Sequence, residues 1–545
     1  MTWGESTTAM QRALCELAGL QADSLTEDSD LIEMGFDSLL IMRIASLMRR
    51  SGAQVEYRDL MESPTPAAWA ALIRQRRSSP DAAAESDSVD GTEPFPLATM
   101  QHAFWVGRSP GQELGGVSAH FYTEFDREEG VDLSRLEQAL QSVIARHGML
   151  RVAISPDGLQ RISERGQWPG LLVHNLRTLT GADLECRLSQ IRKDESQRIM
   201  DIASGEVFDV QVSLFPDNST RVHFNIDMVA ADALSLRNIL SDLVTFYEQG
   251  SDALPHIEYN YARYLADRRK ARNEARNQAR EWWRGQLSSL PAVPELPLRK
   301  HDDPATGPTV ARRHHWLDPA QTSLLRERSR HSGLTVASAL ATVFAEALGR
   351  WSANDRFLLN LPVFDREPLH DDVDLLVGDF SSSVLLDVDL APRLPFVERA
   401  RRLQERLQTV SGYAAYPGVE VLRDLSRAGD GHRVLAPVVY TSALNLGELH
   451  DDSVRRCLGT PTWIISQGPQ VVLDAQVTEF DGGILLNWDT RESLFRPGTL
   501  DAMFDAYVGL VERLLTDERA WEEDLSGYAL PDRQSGEEDA DPVAA

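Results

Sequence analysis

Asp227-Met-Val-Ala-Ala-Asp232-Ala-Leu-Ser235 sits where the chain changes its hydrophobic period. Ahead of it Val222, Phe224 and Ile226 alternate with polar residues at period two, the pattern of a half-buried strand. Behind it Leu236, Ile239, Leu240, Leu243 and Val244 recur at helical spacing. A polar turn between a core strand and a core helix is a rigid mount for two carboxylates and a hydroxyl. The plainest local reading makes Asp232 a helix N-cap, Ser235 a residue of the first turn and Asp227 a solvated strand end. The functional reading makes the three part of a reaction site.

Outward from this turn, the large region is α/β, and 545 residues exceed one ordinary core, so two or three domains are expected. Residues 77–94 are small, acidic and without apolar periodicity, the composition of a linker. They separate a unit at 1–76, sized for a small helical bundle, from the α/β region. Four prolines between Leu290 and Gly307 divide that region into lobes at 95–290 and 291–525. From Thr516 onward the chain is acidic and poor in large apolar residues, and 526–545 is expected to be a disordered tail.

Lys plus Arg number 55 against 83 Asp plus Glu, a net charge of -28 that repels phosphate backbones and anionic lipid surfaces. Nucleic acid and membrane are therefore not expected as partners. The first residues lack a signal-peptide pattern and no apolar run is long enough to span a bilayer, which predicts a cytoplasmic protein. Cys15, Cys186 and Cys457 are scattered, arguing against disulfides or a thiolate metal site, and the histidines lack ligand spacing. No metal is expected.

The N-terminal unit has its own signature. Met10, Leu14, Leu17 and Ala18 make one helical face, and Gly35-Phe36-Asp37-Ser38-Leu39 opens a second helix running through Leu40, Ile44 and Leu47. A serine there is by default only a cap. Together with Tyr57-Arg-Asp-Leu-Met-Glu-Ser-Pro-Thr-Pro, however, the motif resembles an acyl, peptidyl or aryl carrier domain. The resemblance implies a covalent 4'-phosphopantetheine on Ser38, where helix N–H groups favour an anion.

In the large region, Phe95-Pro-Leu-Ala-Thr-Met-Gln101, Arg146-His147-Gly-Met-Leu-Arg151, Val363-Phe-Asp-Arg366, Gly378-Asp-Phe380, Pro437-Val-Val-Tyr-Thr441-Ser442, Ser466-Gln-Gly-Pro-Gln-Val-Val-Leu-Asp474-Ala-Gln476 and Asn487-Trp488-Asp489 follow one another. In that order they resemble a nonribosomal peptide heterocyclization domain of the condensation-domain superfamily. Ordinary condensation domains carry His-His-x-x-x-Asp-Gly where this chain has Asn225 through Asp232. The implied fold is multidomain: a four-helix carrier bundle followed by an α/β, V-shaped pair of chloramphenicol-acetyltransferase-like lobes around a tunnel. The implied reaction condenses a carrier-bound acyl thioester with carrier-bound Cys, Ser or Thr and cyclodehydrates the amide to a thiazoline or oxazoline, as in siderophore and other secondary-metabolite biosynthesis.

Site residues follow from the resemblance and from strand patterning. Val471, Leu473, Ala475 and Val477 form one apolar face, Asp474, Gln476 and Thr478 the other, and Asp481-Gly-Gly483 predicts a hairpin turn. A polar strand face ordinarily meets bulk water; the resemblance turns this one toward the tunnel. Asp474 is then the expected acid and base, needing a pKa raised above about 3.9, with Thr441 beside it. Asp227 is expected to orient tunnel groups, with a part in catalysis. Asp232, Ser235 and Arg366 are expected to support the site, Asp232 pairing with Arg366 across the lobes, and Gln476 to hydrogen-bond the intermediate.

Gly468 and Ala475 depart from the family's usual Thr and His, which puts support around Asp474, and dehydration itself, in question. Two other functions remain open: a condensation-only acyltransferase, and a non-catalytic module that docks the carrier. Implied partners are a phosphopantetheinyl transferase, an adenylation enzyme or upstream synthase loading the carrier in trans, and a downstream carrier bearing Cys, Ser or Thr.

Overall fold

The computed structural model describes residues 6–18, 20–21, 24–36, 38–53, 55–76, 91–299, 308–429 and 433–525. Helices α1 (Thr7–Leu17), α2 (Ser38–Arg50), α3 (Tyr57–Glu62) and α4 (Pro66–Arg76) form the N-terminal bundle. Met10, Leu14, Phe36, Ile41, Ile44 and Trp69 are buried in its core, and the Trp69 indole donates to the Leu60 carbonyl at 2.8 Å. Most of the expected linker, 77–90, lies outside the described residues. Gly91 is already packed into the next domain, its carbonyl accepting from Ile162.

Among the described residues of the large region, fourteen strands follow: β1 (Phe95–Pro96), β2 (His120–Arg127), β3 (Val152–Ile154), β4 (Leu159–Ile162), β5 (Leu172–Asn175), β6 (Phe208–Leu214), β7 (Thr220–Asp227), β8 (Val310–Leu317), β9 (Arg356–Phe364), β10 (Ser381–Asp389), β11 (Val438–Ala443), β12 (Thr460–Gln467), β13 (Leu473–Phe480) and β14 (Gly483–Arg491). They build a small sheet β1-β4-β3, a five-stranded sheet β12-β2-β7-β6-β5 and a six-stranded sheet β10-β9-β11-β13-β14-β8. The two large sheets, each backed by helices and with its own apolar core, are the two lobes.

The lobes are not the consecutive halves expected. β12 leaves the second lobe to pair antiparallel with β2, so it completes the first lobe's sheet. Conversely, Ala279 and Trp283 of helix Asn273–Gln286 belong to the second lobe's core, so the change of lobe precedes the proline run. Composition marks where a chain is punctuated; it does not mark where the chain crosses between cores.

At the C-terminal end, Ala520, Trp521 and Leu525 are buried, with Trp521 edge-on to Phe396 and its indole donating to Leu514. The chain is thus packed nine residues beyond Thr516, and 526–545 lies outside the described residues. Among the described residues no single helix is long and apolar enough to cross a membrane, and no group of His, Cys, Asp or Glu is placed to hold a metal ion. No disulfide joins any two of Cys15, Cys186 and Cys457.

The six-stranded sheet has a stiff back. Phe344 packs against Tyr440 of β11 and edge-on to Trp488 of β14, and Trp488 stacks on Tyr507. Each such pair adds about 0.5–1.5 kcal/mol beyond its buried area. The strands whose outer faces carry polar groups are therefore fixed from behind.

Candidate active site

Strand register arranges the polar face in rows. One row reads Val439, Asp474, Asp489 and Arg312 across β11, β13, β14 and β8; the next reads Thr441, Gln476, Asn487 and His314. Because side chains alternate at period two, Leu473, Ala475 and Val477 point the other way and are buried. The turn that joins β13 to β14 is as expected: Asp481 and Gly482 both take positive φ, 52° and 68°, the type I′ geometry that matches strand twist.

Asp474 is held by neutral partners. The Thr441 hydroxyl donates to Oδ1 at 2.8 Å and the Gln476 amide donates to Oδ2 at 2.7 Å. The orientation of Gln476 is dictated: its Oε1 accepts from Arg312 at 3.3 Å and from Asn487 at 3.0 Å, and arginine can only donate. Its NH2 group must therefore face Asp474, Ser466 and Asp489. Arg312 is itself clamped on Asp489 by two hydrogen bonds of 2.7 and 2.5 Å, both side chains nearly inaccessible. Burial, reinforced by the charge of Asp489, pushes the Asp474 carboxyl up to about 6, although Gln476, Thr441 and Arg312 pull it down. A carboxyl of that pKa exchanges protons in both directions near neutral pH.

The opening turn is built differently. Asp232 caps helix Ala233–Gln249, accepting from the Ser235 N–H at 2.8 Å, and also accepts from the Phe380 N–H at 3.3 Å. Ser235 donates to the Gly378 carbonyl and accepts from the Gly378 N–H. Arg366 donates to Ser235 at 2.9 Å and to Asp232 at 3.4 Å while stacking on Phe380, 3.8 Å from its ring centroid. Gly378 has no room for a side chain; a Cβ there would lie 2.3 Å from Tyr261. Capping and cross-lobe pairing, alternatives in the sequence, are both made by the same carboxylate.

Asp227 corrects the expectation attached to it. It is 0 % exposed, paired with Arg108 at 3.0 Å and accepting from the Val229 N–H at 3.1 Å. Burial raises its pKa and Arg108 lowers it. An enclosed carboxylate has no path to a substrate, so its catalytic assignment does not fit this arrangement. Nor is β7 half-buried: His223, Asn225 and Asp227 on its polar face are enclosed too.

Ala475 resolves another question. It points into the core between Tyr440 and Trp488, on the face opposite Asp474, so the missing imidazole removes nothing from the polar face. Gly468 follows β12, where a Cβ would meet Val471 at 3.3 Å.

The sequence assigned no role to Asp489, Ser466, Asn487 or Arg108 and did not single out Arg312. Arg312 was findable in principle, since it alternates with His314 and Trp316 along β8, but its partner lies 177 residues away. On the carrier, α2 begins at Ser38, preceded by Gly35 at φ +92° and by buried Phe36. Asp37 and the Ser38 side chain lie outside the described residues. A serine opening a helix of 13 residues fits attachment of a phosphodiester, which free helix N–H groups favour.

Comparison with known proteins gives two family matches: a condensation domain over residues 94–529 and a phosphopantetheine attachment site over residues 8–73. The chain is 46% identical over 537 residues to phenyloxazoline synthase MbtB of Mycolicibacterium paratuberculosis, covering 96% of this chain and 45% of that protein. It is 33% identical to pyochelin synthetase PchE of Pseudomonas aeruginosa, covering 95% of this chain and 36% of that one. It thus spans less than half the length of these relatives. The cyclization-docking bidomain of EpoB from Sorangium cellulosum superposes with a TM-score of 0.70 at 34% identity, over 84% of this chain and 92% of that structure.

Proposed function

The chain belongs to the condensation-domain family and carries a phosphopantetheine-attachment domain, and from that premise we propose that it is a carrier-heterocyclization didomain of a nonribosomal peptide synthetase. Its substrates are an acyl thioester on a carrier and Cys, Ser or Thr on a second carrier; its product is a thiazoline or oxazoline. Phosphopantetheine on Ser38 supplies, when bound, a thiol on a long arm that holds an acyl group as a thioester.

The reading rests on one observation above all: Asp474, bonded among the described residues through Thr441 and Gln476, has a carboxyl poised near neutral pH on a half-buried strand face. Amide formation comes first. The acceptor amine attacks the thioester carbonyl, a C–N bond forms, and the C–S bond breaks with release of the thiol. In ring closure the acceptor's hydroxyl or thiol attacks the new amide carbonyl while the Asp474 acid gives its proton to the carbonyl oxygen and takes up the nucleophile's proton, so the acid is re-formed. In dehydration the Asp474 acid protonates that hydroxyl, the C–O bond breaks with loss of water, and the nitrogen gives up its proton as C=N forms. The acid is thereby restored. Thr441 fixes the Oδ1 edge at which protons move, because Oδ2 is occupied by the Gln476 amide.

Partners in this scheme are a phosphopantetheinyl transferase acting on Ser38, an adenylation enzyme or upstream synthase that loads it, and a downstream carrier. The test is intact-mass analysis of the acyl-loaded chain mixed with a cysteinyl or seryl carrier. Transfer with loss of one water is expected. Transfer without that loss would make the chain a condensation-only enzyme, and no transfer would leave it a docking module.

A further inference from the structure

The two lobes meet beside Asp474, at Ser466 of β12. β12 is fastened to the first lobe: it pairs with β2 from Thr460 to Gln467, and two of its side chains are bonded to Ser196 of helix Gly181–Ser196. The Trp463 indole donates to the Ser196 hydroxyl at 3.2 Å and the Gln467 amide to the Ser196 carbonyl. As the edge strand of its sheet, β12 turns alternate N–H groups away from β2. The Ser466 N–H is one of these, and Asp489 on β14 of the second lobe accepts it at 3.0 Å. The Ser466 hydroxyl donates to the same carboxylate oxygen at 3.1 Å.

That hydroxyl works in both directions. Gln476 Nε2 donates to it at 2.7 Å, against 3.2 Å to Asp489 itself. A side-chain amide has two hydrogens; with one on Asp474 Oδ2 at 2.7 Å, the other goes to Ser466. The hydroxyl has a single hydrogen, and Asp489 takes it. The order of donation is therefore fixed, from Gln476 to Ser466 and from Ser466 to Asp489. Without the hydroxyl, the second amide hydrogen has only the longer contact to Asp489, and turning toward it draws the first hydrogen off Asp474. The charges felt at Asp474 are those of Asp489, which raises its pKa, and Arg312, which lowers it. His314, one row along on β8, has its own pKa lowered by burial and by Arg312. By donating to Asp489, Ser466 blunts the charge that acts on Asp474 from that side.

We infer that Ser466 is a positioning residue for ring closure: it holds the Gln476 amide on Asp474 only while β12 is seated on Asp489, so the meeting of the two lobes assembles the acid-base group. The inference rests on the ring-forming role proposed for Asp474. Ser466 touches neither substrate nor Asp474 in this arrangement and acts through Gln476 and Asp489.

Ring closure can be followed alone by mixing the full chain with an acceptor carrier that already bears an N-acetyl or N-benzoyl amide of serine or cysteine, and reading the loss of one water by intact mass. Ser466→Ala is expected to close the ring about tenfold more slowly on the low-pH plateau, because the acid is no longer held in place. The bend near pH 6 should also move upward, since the lost amide hydrogen bond and the uncovered Asp489 charge both raise the Asp474 pKa. Ser466→Thr, which keeps the hydroxyl, should restore rate and bend. An unchanged rate, a slower rate with an unmoved bend, or no rescue by threonine overturns the inference. The clasp itself is read without turnover by hydrogen exchange at the amide of position 466, expected to quicken about tenfold in Ser466→Ala. The amides of Ile465 and Gln467, which face β2, should keep their rates. Equal exchange at position 466 in the two proteins also overturns the inference. A wild-type chain that closes no ring overturns the proposed function instead, and the exchange result then decides whether Ser466 clasps the lobes.

Discussion

Each lobe carries a carboxylate on a strand of its large sheet, and the two are treated in opposite ways. Asp227 at the end of β7 is sealed from solvent and answered by Arg108; a few residues on, Asp232 is answered by Arg366. Asp474 on β13 stays half-buried on an accessible face, with Thr441 and Gln476 as its hydrogen-bond partners. Its arginine, Arg312, is held one residue back by Asp489. An arginine in direct contact turns a carboxylate into a brace, whereas neutral partners leave it free to change protonation state. The motif that distinguishes this chain from ordinary condensation domains is thus, in our reading, a brace, and the chemistry sits in the other lobe.

The largest expected effect tests that division directly. Asp474→Asn should lower ring formation by about 10²–10⁴-fold, the usual worth of a positioned acid-base group, while amide formation continues. Mass spectrometry of the acceptor carrier would then show the open amide accumulating. If Asp227→Asn gave that pattern instead, the roles of the two lobes would be reversed.

Next comes the brace. Arg366→Ala leaves Asp232 nearly buried without its cation, which costs about 3–5 kcal/mol when one partner of a buried pair is removed. Thermal unfolding should shift down, and amide formation and cyclization should fall together. A selective loss of cyclization would place Arg366 in the chemistry.

A smaller effect is expected from Arg312→Met. It removes the donor that fixes the Gln476 amide and frees Asp489 to repel Asp474, and both changes raise the Asp474 pKa above about 6. Ring formation should slow about tenfold, and the bend in its pH profile near 6 should move upward. An unmoved bend would mean that Gln476 keeps its orientation without Arg312.

Much of this was legible in the sequence, for a physical reason: local patterns report local geometry. The alternation around Asp474 gave the strand faces, the Asp481-Gly-Gly483 turn gave the hairpin, and the carrier motif gave the start of α2. The pairing of Asp232 with Arg366 came from the family resemblance and is present. What was not legible depends on the third dimension. The crossing of β12 into the first lobe is decided by which sheet edge is free, and the enclosure of Asp227 by a partner 119 positions earlier, Arg108. Ala475 lends nothing to the polar face, because its neighbours in sequence, Asp474 and Gln476, face away from it.

The smallest effect separates the two carboxylates by stability alone. The folded-state pKa of Asp474 is raised, so the fold favours its neutral form and loses stability as that group ionises. In the wild type this loss begins near the unfolded pKa of 3.8 and is complete above about 6. Asparagine is neutral throughout, so Asp474→Asn should melt a few degrees higher than wild type at pH 8, a gain bounded by about 3 kcal/mol, and show no gain below about pH 4. Asp227→Asn has no such benefit, even though burial also raises that carboxyl, because it strands the Arg108 charge beside a neutral amide. It should melt lower than wild type at pH 8. Melting curves of the two variants at pH 4 and pH 8 therefore diverge in opposite directions, and a parallel response would mean that accessibility, rather than the arginine, is what separates the two sites.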